Sequence, residues 1–495
     1  MKNIREFASK HKIITLIIMS FILAFFTILA ASSTASFLYK ETWTSAYVND
    51  PNMFYYMGLM FAKGKTPYLE IFDHKGLYMF YYTGLGALLG GRIGMFIVQV
   101  LFMSVTYYFL ILVMKELKLH KFIIFTSSLL FLVIYVVFMQ SPGDAEPQLP
   151  FIALMLYFYA RAITNKKDKD FIIANLLAGI CAGIAINIRA SDAILPLALT
   201  ISYFVYSLMH KNYKPLILSA TFAILGLLVT SFIPFIHSYI GGFSKEMYQS
   251  VIFDNLKYTS TSEKGGMLIT PILARIMIIL IYGIFALLLI VQRKKLDKDE
   301  IVFLSISGII TMLFELLIAH YLHYLIILFP YLFVVYSRLI SLFFIEEKRY
   351  HLSFKLSSLV LAIASVLTLP IYYYSYQYNI EKEIVAAIKQ EIPSEEYDGH
   401  VLAISYNPSI YLNVGITVGY GDFNTQLNHI RISSIYTSEV LFDYLKGGDC
   451  HYVITYNFKE DTKDIILAWF STTEGNEYYQ KTYSDPNLFI FKYIK

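Results

Sequence analysis

An all-α polytopic membrane protein carrying a small C-terminal α/β domain is the architecture this sequence predicts, on three observations. Hydrophobic residues fill 57% of 495 positions and charged residues 15%, against roughly 25% charged in soluble domains. Mean hydropathy is +0.56, so the apolar surplus needs lipid to cover it. Apolar runs of bilayer length recur between residues 13 and 376 and then cease.

Each run follows from length and hydropathy. Spans are placed near 13–31, 93–114, 122–139, 149–163, 171–188, 193–209, 216–240, 270–291, 301–318, 325–343 and 356–376, about eleven helices in all. Lys2, Arg5, Lys10 and Lys12 precede the first. Small residues from Ala30 to Ser36 resemble a signal-peptidase site, but the many later spans favour an uncleaved first helix. The connections Lys115 to Lys121, Thr164 to Asp170, His210 to Lys214, Gln292 to Glu300 and Glu346 to Lys355 are short and rich in lysine. The positive-inside rule makes these cytoplasmic, so the chain starts inside and ends outside. The tight Arg189-Ala190-Ser191-Asp192 leaves one alternative, a single kinked element over 171–209 that would reverse the downstream topology. The lysine pattern disfavours it.

Hydropathy drops from residue 377, dividing the chain into a transmembrane module, 1–376, and an extracytoplasmic α/β domain, 377–495. Ile380 to Ile392 alternates apolar and charged residues at helical spacing before Pro393. Val401 to Tyr406, His451 to Tyr456 and Phe489 to Tyr493 read as strands, and Ser438 to Leu445 as a helix closed by Gly447-Gly448. A net charge of +4, placed mostly at span borders, argues against nucleic acid as a partner. Two cysteines, Cys181 and Cys450, give no readable disulfide framework.

Once topology is drawn, ionisable residues concentrate on the outer side. The first outer loop carries Asp50, Glu70, Asp73, His74 and Lys75, the second Asp144 and Glu146; the next outer turns add Arg189 with Asp192, and then His320 and His323. Charges at the bilayer surface are costly unless partnered, and their default reading is functional. Bland readings stand beside this one: Asp50 as a helix N-cap, Lys75 snorkelling to the interface, Arg189 with Asp192 as a structural pair, and the two histidines as interfacial hydrogen-bonding groups. Glu315, inside a span, is either a buried hydrogen-bond partner or part of the same cavity. Asp254, Lys257 and Glu263 read as solvated loop charges.

The first loop runs Asn49-Asp50-Pro51-Asn52-Met53-Phe54-Tyr55, then Gly58, Pro67-Tyr68 and Asp73-His74-Lys75-Gly76, with Met53 to Phe61 suiting a helix along the interface. An acidic residue after the first span, an aromatic and a glycine, then Tyr-x-x-x-x-Asp-His-Lys-Gly, resembles the GT-C class of polyprenyl-phosphate-dependent glycosyltransferases. The bacterial branch akin to protein O-mannosyltransferases and the lipid A aminoarabinose transferase is the most similar. Gly143-Asp144-Ala145-Glu146, Asn187-Ile188-Arg189 and His323-Tyr324 followed by Pro330 resemble further motifs of that class. Two departures are visible: Asp50-Pro51 lacks a second adjacent carboxylate, and Leu77 stands where the class has proline after Lys-Gly.

The resemblance implies a membrane glycosyltransferase taking a sugar from a polyprenyl-phosphate donor at the outer face. The acceptor would be a cell-envelope glycan such as wall polysaccharide or teichoic acid, another lipid-linked glycan or a protein. The setting would be a bacterial plasma membrane. Chemically, a departing phosphate needs charge stabilisation, which Lys75 and Arg189 can supply. The acceptor hydroxyl needs a base, and Asp50 is the candidate, with Asp144 and Glu146 in the same catalytic group and Asp73 and His74 beside them. Direct displacement would invert the anomeric centre. The alternative is a hydrolase, with Asp50 and Glu146 as the paired carboxylates flanking the bond. Asp144, Glu146, His320 and His323 could also bind a divalent ion, although no spacing is a metal signature. The competing class is a transporter or flippase of lipid-linked sugars, disfavoured because its ionisable residues would lie near the midplane.

Overall fold

The structure, a computed structural model, describes residues 11–32, 34, 49–71, 73–139, 141–255, 269–318, 322–344, 378–405, 409–417, 419, 438–456, 467–485 and 488–495. Among these residues nine helical segments are long and apolar enough to cross a membrane. Their helices are α1 (Lys12–Ala31), α4 (Gly91–Glu116), α5 (Lys121–Phe138), α7 (Asp168–Ile186), α8 (Ile194–Met209), α9 (Tyr213–Ile240), α11 (Ile269–Gln292), α12 (Lys298–Ile318) and α13 (Phe329–Phe344). The shorter apolar helix α6 (Leu149–Asn165) makes a tenth. These ten coincide with spans expected from hydropathy; the eleventh, near 356–376, lies outside the described residues. Helices are what such runs must form in lipid, where no water satisfies the backbone.

Small residues set the closest helix packing. A Cβ at Gly179 of α7 would come 1.9 Å from the carbonyl oxygen of Ala223 on α9, and one at Gly226 would come 2.4 Å from that of Leu176. Close backbone approach of this kind holds membrane helices together where no hydrophobic driving force acts between them.

The lysine-rich connections meet at one end of the bundle. Lys166 Nζ lies 2.9 Å from Asp297 and 3.2 Å from Asp299, His210 Nε2 lies 2.8 Å from Asp299, and Asn165 donates to Glu116 over 2.9 Å. Lys166, just before α7, and His210, just after α8, thus touch the same carboxylate. The two helices are therefore a hairpin that leaves this end and returns to it, with Arg189 at its far tip, and the kinked-element alternative falls away.

Between α1 and α4 lie two helices, α2 (Asn49–Ala62) and α3 (Leu77–Leu88), packed through Gly58, where a Cβ would come 2.3 Å from the Thr83 backbone. Their apolar faces bury Met53, Phe54, Tyr56, Met57, Met79 and Phe80. The helix expected from Met53 to Phe61 lies within α2. After α9 come the short α10 (Ser244–Tyr248) and a π-helical turn over Gln249–Asp254. Asp254 is not solvated as expected: it is 4% exposed and accepts a hydrogen bond from Gln249 at 2.9 Å. Lys257 and Glu263 lie outside the described residues.

The C-terminal segment opens with α14 (Tyr378–Glu391) and contains α15 (Ser409–Val414), α16 (Ser438–Lys446) and α17 (Thr473–Tyr478). Its four strands are β1 (Val401–Ser405), β2 (Tyr452–Tyr456), β3 (Tyr479–Asp485) and β4 (Leu488–Tyr493), in sheet order β1-β2-β4-β3. The first pair is parallel and the other two are antiparallel. Side chains alternate faces along each strand. Val401, Ala403, Ile454 and Ile490 pack with α14 and the α2–α3 pair, whereas Leu402, Ile404, Val453 and Phe491 pack with Leu441, Leu445 and Trp469. The sheet thereby docks on the segment between α1 and α4. Tyr56 Oη donates to the Ile416 carbonyl over 2.9 Å, and Lys63 Nζ to Thr417 Oγ1 over 3.0 Å.

Candidate functional site

The Asp73-His74-Lys75-Gly76 turn is fixed by its own backbone. Lys75 N–H donates to Asp73 Oδ1 over 2.7 Å, the Tyr68 hydroxyl donates to the Lys75 carbonyl over 2.7 Å, and Asn255 Nδ2 donates to the His74 carbonyl over 2.9 Å. Gly76 lies against the tip of the α7–α8 hairpin so closely that a Cβ would fall 1.8 Å from the Asn187 carbonyl oxygen. No side chain fits there. The missing Cβ is what brings Lys75 next to Arg189.

Charges then run in series across three chain segments. Lys75 Nζ lies 3.0 Å from Asp144 Oδ2, and Arg189 Nη1 approaches the same oxygen at 3.3 Å. Arg189 Nε and Nη2 both contact Asp192 Oδ1 at 2.7 Å, and Gln148 Nε2 donates to Asp192 Oδ2 over 2.6 Å. Lys75, Asp144 and Asp192 are all buried. In such surroundings each charge depends on its partner, since unpaired buried ions are strongly unfavourable. Phe54 of α2 lies under the lysine, 5.9 Å from Nζ to the ring centre.

Asp50 occupies the first turn of α2, outside the candidate spans, where the helix N-terminus favours negative charge. It lies within electrostatic reach of Lys75, Asp144 and Asp73. Burial raises its pKa to about 6; Lys75 opposes the rise, while Asp144 and Asp73 add to it. His74 is pushed the other way, to about 3, first by burial and then by the charge of Lys75. Its 3.7 Å approach to Asp73 is therefore a contact with a neutral imidazole at physiological pH. From α12, Glu315 is 2% exposed and close enough to feel Asp192 and Arg189, with Oε2 lacking a hydrogen-bond partner among the described residues.

Glu146 sits in a separate cage next to this series. It accepts hydrogen bonds from the hydroxyls of Tyr82 at 2.8 Å and Tyr135 at 2.6 Å, from Gln99 Nε2 at 3.2 Å, and from Ser141. Gln99 in turn accepts from Ser32 at 2.8 Å and Thr34 at 2.5 Å. Burial raises the Glu146 pKa, while the donors, Ser141 first, pull it down.

The fold therefore gathers Asp50, Asp73, His74, Lys75, Asp144 and Arg189, with Glu146 adjoining. Glu70 lies apart, closing its own turn through Lys65 at 3.1 Å and the Thr66 N–H at 2.7 Å. His320 lies outside the described residues, and of His323 only the backbone is described, in a short 3-10 helix over Leu322–Leu328. Sequence reasoning missed Gln148, Tyr82, Tyr135 and Gln99. A signal existed for Gln99, an amide inside an otherwise apolar span. The tyrosines gave none, because interfacial tyrosine is common in this chain. The Asp144 oxygen facing the site already carries two cations, and both Glu146 oxygens accept hydrogen bonds. Of the four residues expected to hold a divalent ion, Asp144 and Glu146 are thus engaged with protein partners, and the side chains of His320 and His323 lie outside the described residues.

Residues 74–237 match the model of the family described as dolichyl-phosphate-mannose-protein mannosyltransferase. The matched segment contains His74, Lys75, Asp144, Glu146, Arg189 and Asp192, and leaves out Asp50, Glu315 and the C-terminal sheet. No curated protein matches the chain. The class that helical bundle and family match support is a multi-pass membrane glycosyltransferase of the GT-C type.

Proposed function

We propose that this protein transfers a sugar from a polyprenyl-phosphate donor to a hydroxyl of a cell-envelope glycan or glycopolymer, at the outer face of a bacterial plasma membrane. The N-terminus would be cytoplasmic and the C-terminal sheet extracytoplasmic. The observation that carries this reading is the convergence of Lys75 and Arg189 on one oxygen of Asp144, with Asp50 in electrostatic reach.

Asp144 holds the two cations side by side, in position to receive an anionic phosphate. Arg189 offers a planar fork and Lys75 a point charge. Asp50, ionised above about pH 6, takes the proton of the acceptor hydroxyl as its oxygen attacks the anomeric carbon. The new carbon–oxygen bond forms on one face while the bond to phosphate breaks on the other. The phosphate leaves with the electron pair, the two cations stabilise it, and the anomeric configuration inverts. General-base assistance of this kind contributes roughly 10²–10⁴-fold, and electrostatic stabilisation of the leaving group adds to it. Glu146 and its cage act as a brace for the loop that carries Asp144.

The test is sugar transfer in proteoliposomes from a labelled polyprenyl-phosphate sugar. Transfer abolished by Asp50→Asn and by Lys75→Met supports the proposal. Lipid translocation without transfer, unaffected by Asp50→Asn, would replace it with a flippase.

A further inference from the structure

The C-terminal sheet holds a second cluster of ionisable groups. Glu396, in the 3-10 turn Ser394–Tyr397, His400, just before β1, and His451, just before β2, each offer one ligand atom, and these atoms lie within 4.8 Å of one another. We infer that Glu396, His400 and His451 form a binding site for a divalent transition-metal ion, with zinc as the best fit.

The geometry is built by the backbone. Because β1 and β2 are parallel neighbours, their N-terminal ends lie side by side, and the N–H groups of His451 and Tyr452 both donate to the His400 carbonyl, over 2.9 and 3.1 Å. The His400 N–H reaches back to the Glu396 carbonyl at 3.3 Å. The two imidazoles stack, with ring centres 4.4 Å apart and planes 8° from parallel. His400 Nδ1 lies 3.0 Å from the Asp449 carbonyl, which can only accept. With that nitrogen turned to the carbonyl, Nε2 would be the atom left to ligate an ion, the arrangement by which a carbonyl orients a metal-binding histidine. His451 Nδ1 and Glu396 Oε2 share a hydrogen bond of 2.6 Å, whose proton a bound ion would displace to solvent.

Two imidazoles and one carboxylate suit zinc, which takes such ligands at about 2.0–2.2 Å and completes its shell with water. Ligand atoms bound to one such ion lie roughly 3.3–3.5 Å apart, so the partly exposed side chains would have to adjust in both directions, the widest separation closing from within 4.8 Å and the 2.6 Å His451–Glu396 contact opening. The site also has a structural purpose. Gly399 N–H donates to the Thr417 carbonyl over 3.0 Å, Thr417 N–H donates to the Tyr397 carbonyl over 2.8 Å, and Thr417 Oγ1 accepts from Lys63, in the turn just after α2. An ion tying the 394–400 segment to β2 would rigidify the strip by which the sheet docks on the segment between α1 and α4.

The experiment uses the full chain purified in detergent and stripped with chelator. Zinc chloride is titrated by calorimetry, with the melting temperature followed in parallel. One zinc per chain, a zinc-dependent rise in melting temperature, and at least tenfold weaker binding in both His400→Gln and Glu396→Gln support the site. No zinc binding tighter than about 0.1 mM, or equal affinity in the variants, overturns it. Both variants are first compared with the parent chain without metal, so that lost binding is not mistaken for misfolding. Because sugar transfer is not the readout, the outcome is independent of the proposed transferase activity.

Discussion

Lys75 Nζ stands 3.0 Å from Asp144 Oδ2 although the two residues are 69 positions apart, and Arg189 Nη1 reaches that same oxygen at 3.3 Å. One carboxylate thus keeps two cations, from two other segments of the chain, in a single buried place.

Removing that carboxylate should leave two like charges facing each other. Asp144→Asn is expected to destabilise the protein by about 3–5 kcal/mol, the usual consequence of leaving buried charge uncompensated. Thermal unfolding in detergent measures it, and a shift within error of the parent would mean that Lys75 and Arg189 find other partners.

The elevated pKa of Asp50 sets a pH dependence with a definite sign. The base works ionised, so transfer should fall about tenfold per pH unit below about 6 and level off above it. Stability runs the other way: the folded chain holds the proton more tightly than the unfolded chain, whose pKa is near 3.8. That stabilisation is complete below 3.8 and is lost as pH rises through 6. Asp50→Asn should therefore be inactive yet more stable at pH 7.5, by at most about 3 kcal/mol, since one pKa unit is worth about 1.4 kcal/mol. An Asp50→Asn chain that melts below the parent at pH 7.5 would contradict this.

Gly76→Ala tests the close approach of the lysine turn to the α7–α8 tip. Gly76 has φ −78°, so alanine meets no backbone strain, and the whole effect comes from its Cβ striking the Asn187 carbonyl. Pushing Lys75 away by about 1 Å is expected to lower transfer by about 10²-fold. Retained activity would show that the turn can give way without cost.

Glu146→Gln and Tyr82→Phe separate bracing from chemistry. Each breaks a buried hydrogen bond to the cage, with an expected loss of about 1–3 kcal/mol, while the pH midpoint of transfer should stay where Asp50 sets it. A midpoint displaced in Glu146→Gln would place Glu146 in the proton transfer itself.

Most spans were legible because a bilayer imposes one simple rule of length and hydropathy, and α4, α9 and α11 each obey it. The Asp73-His74-Lys75-Gly76 segment stood out because its charges interrupt an apolar loop. A helix was legible from Met53 to Phe61, but not that the Met- and Tyr-rich runs of α2 and α3 bury themselves against each other and against the C-terminal sheet. Strand β3 was not anticipated either: Tyr479–Asp485 is an edge strand, mostly exposed, without an apolar face to announce it.

By itself the sequence determined that this chain crosses a membrane repeatedly and which ionisable residues interrupt its apolar design, since both depend on composition within short windows. Tertiary structure alone decided that Lys75 and Arg189 share Asp144, that Glu146 belongs to a cage of tyrosines and Gln99, and that Glu396 meets two histidines. Each of those contacts joins segments distant in sequence. Their distances are set by helix packing and strand register, which no local pattern encodes.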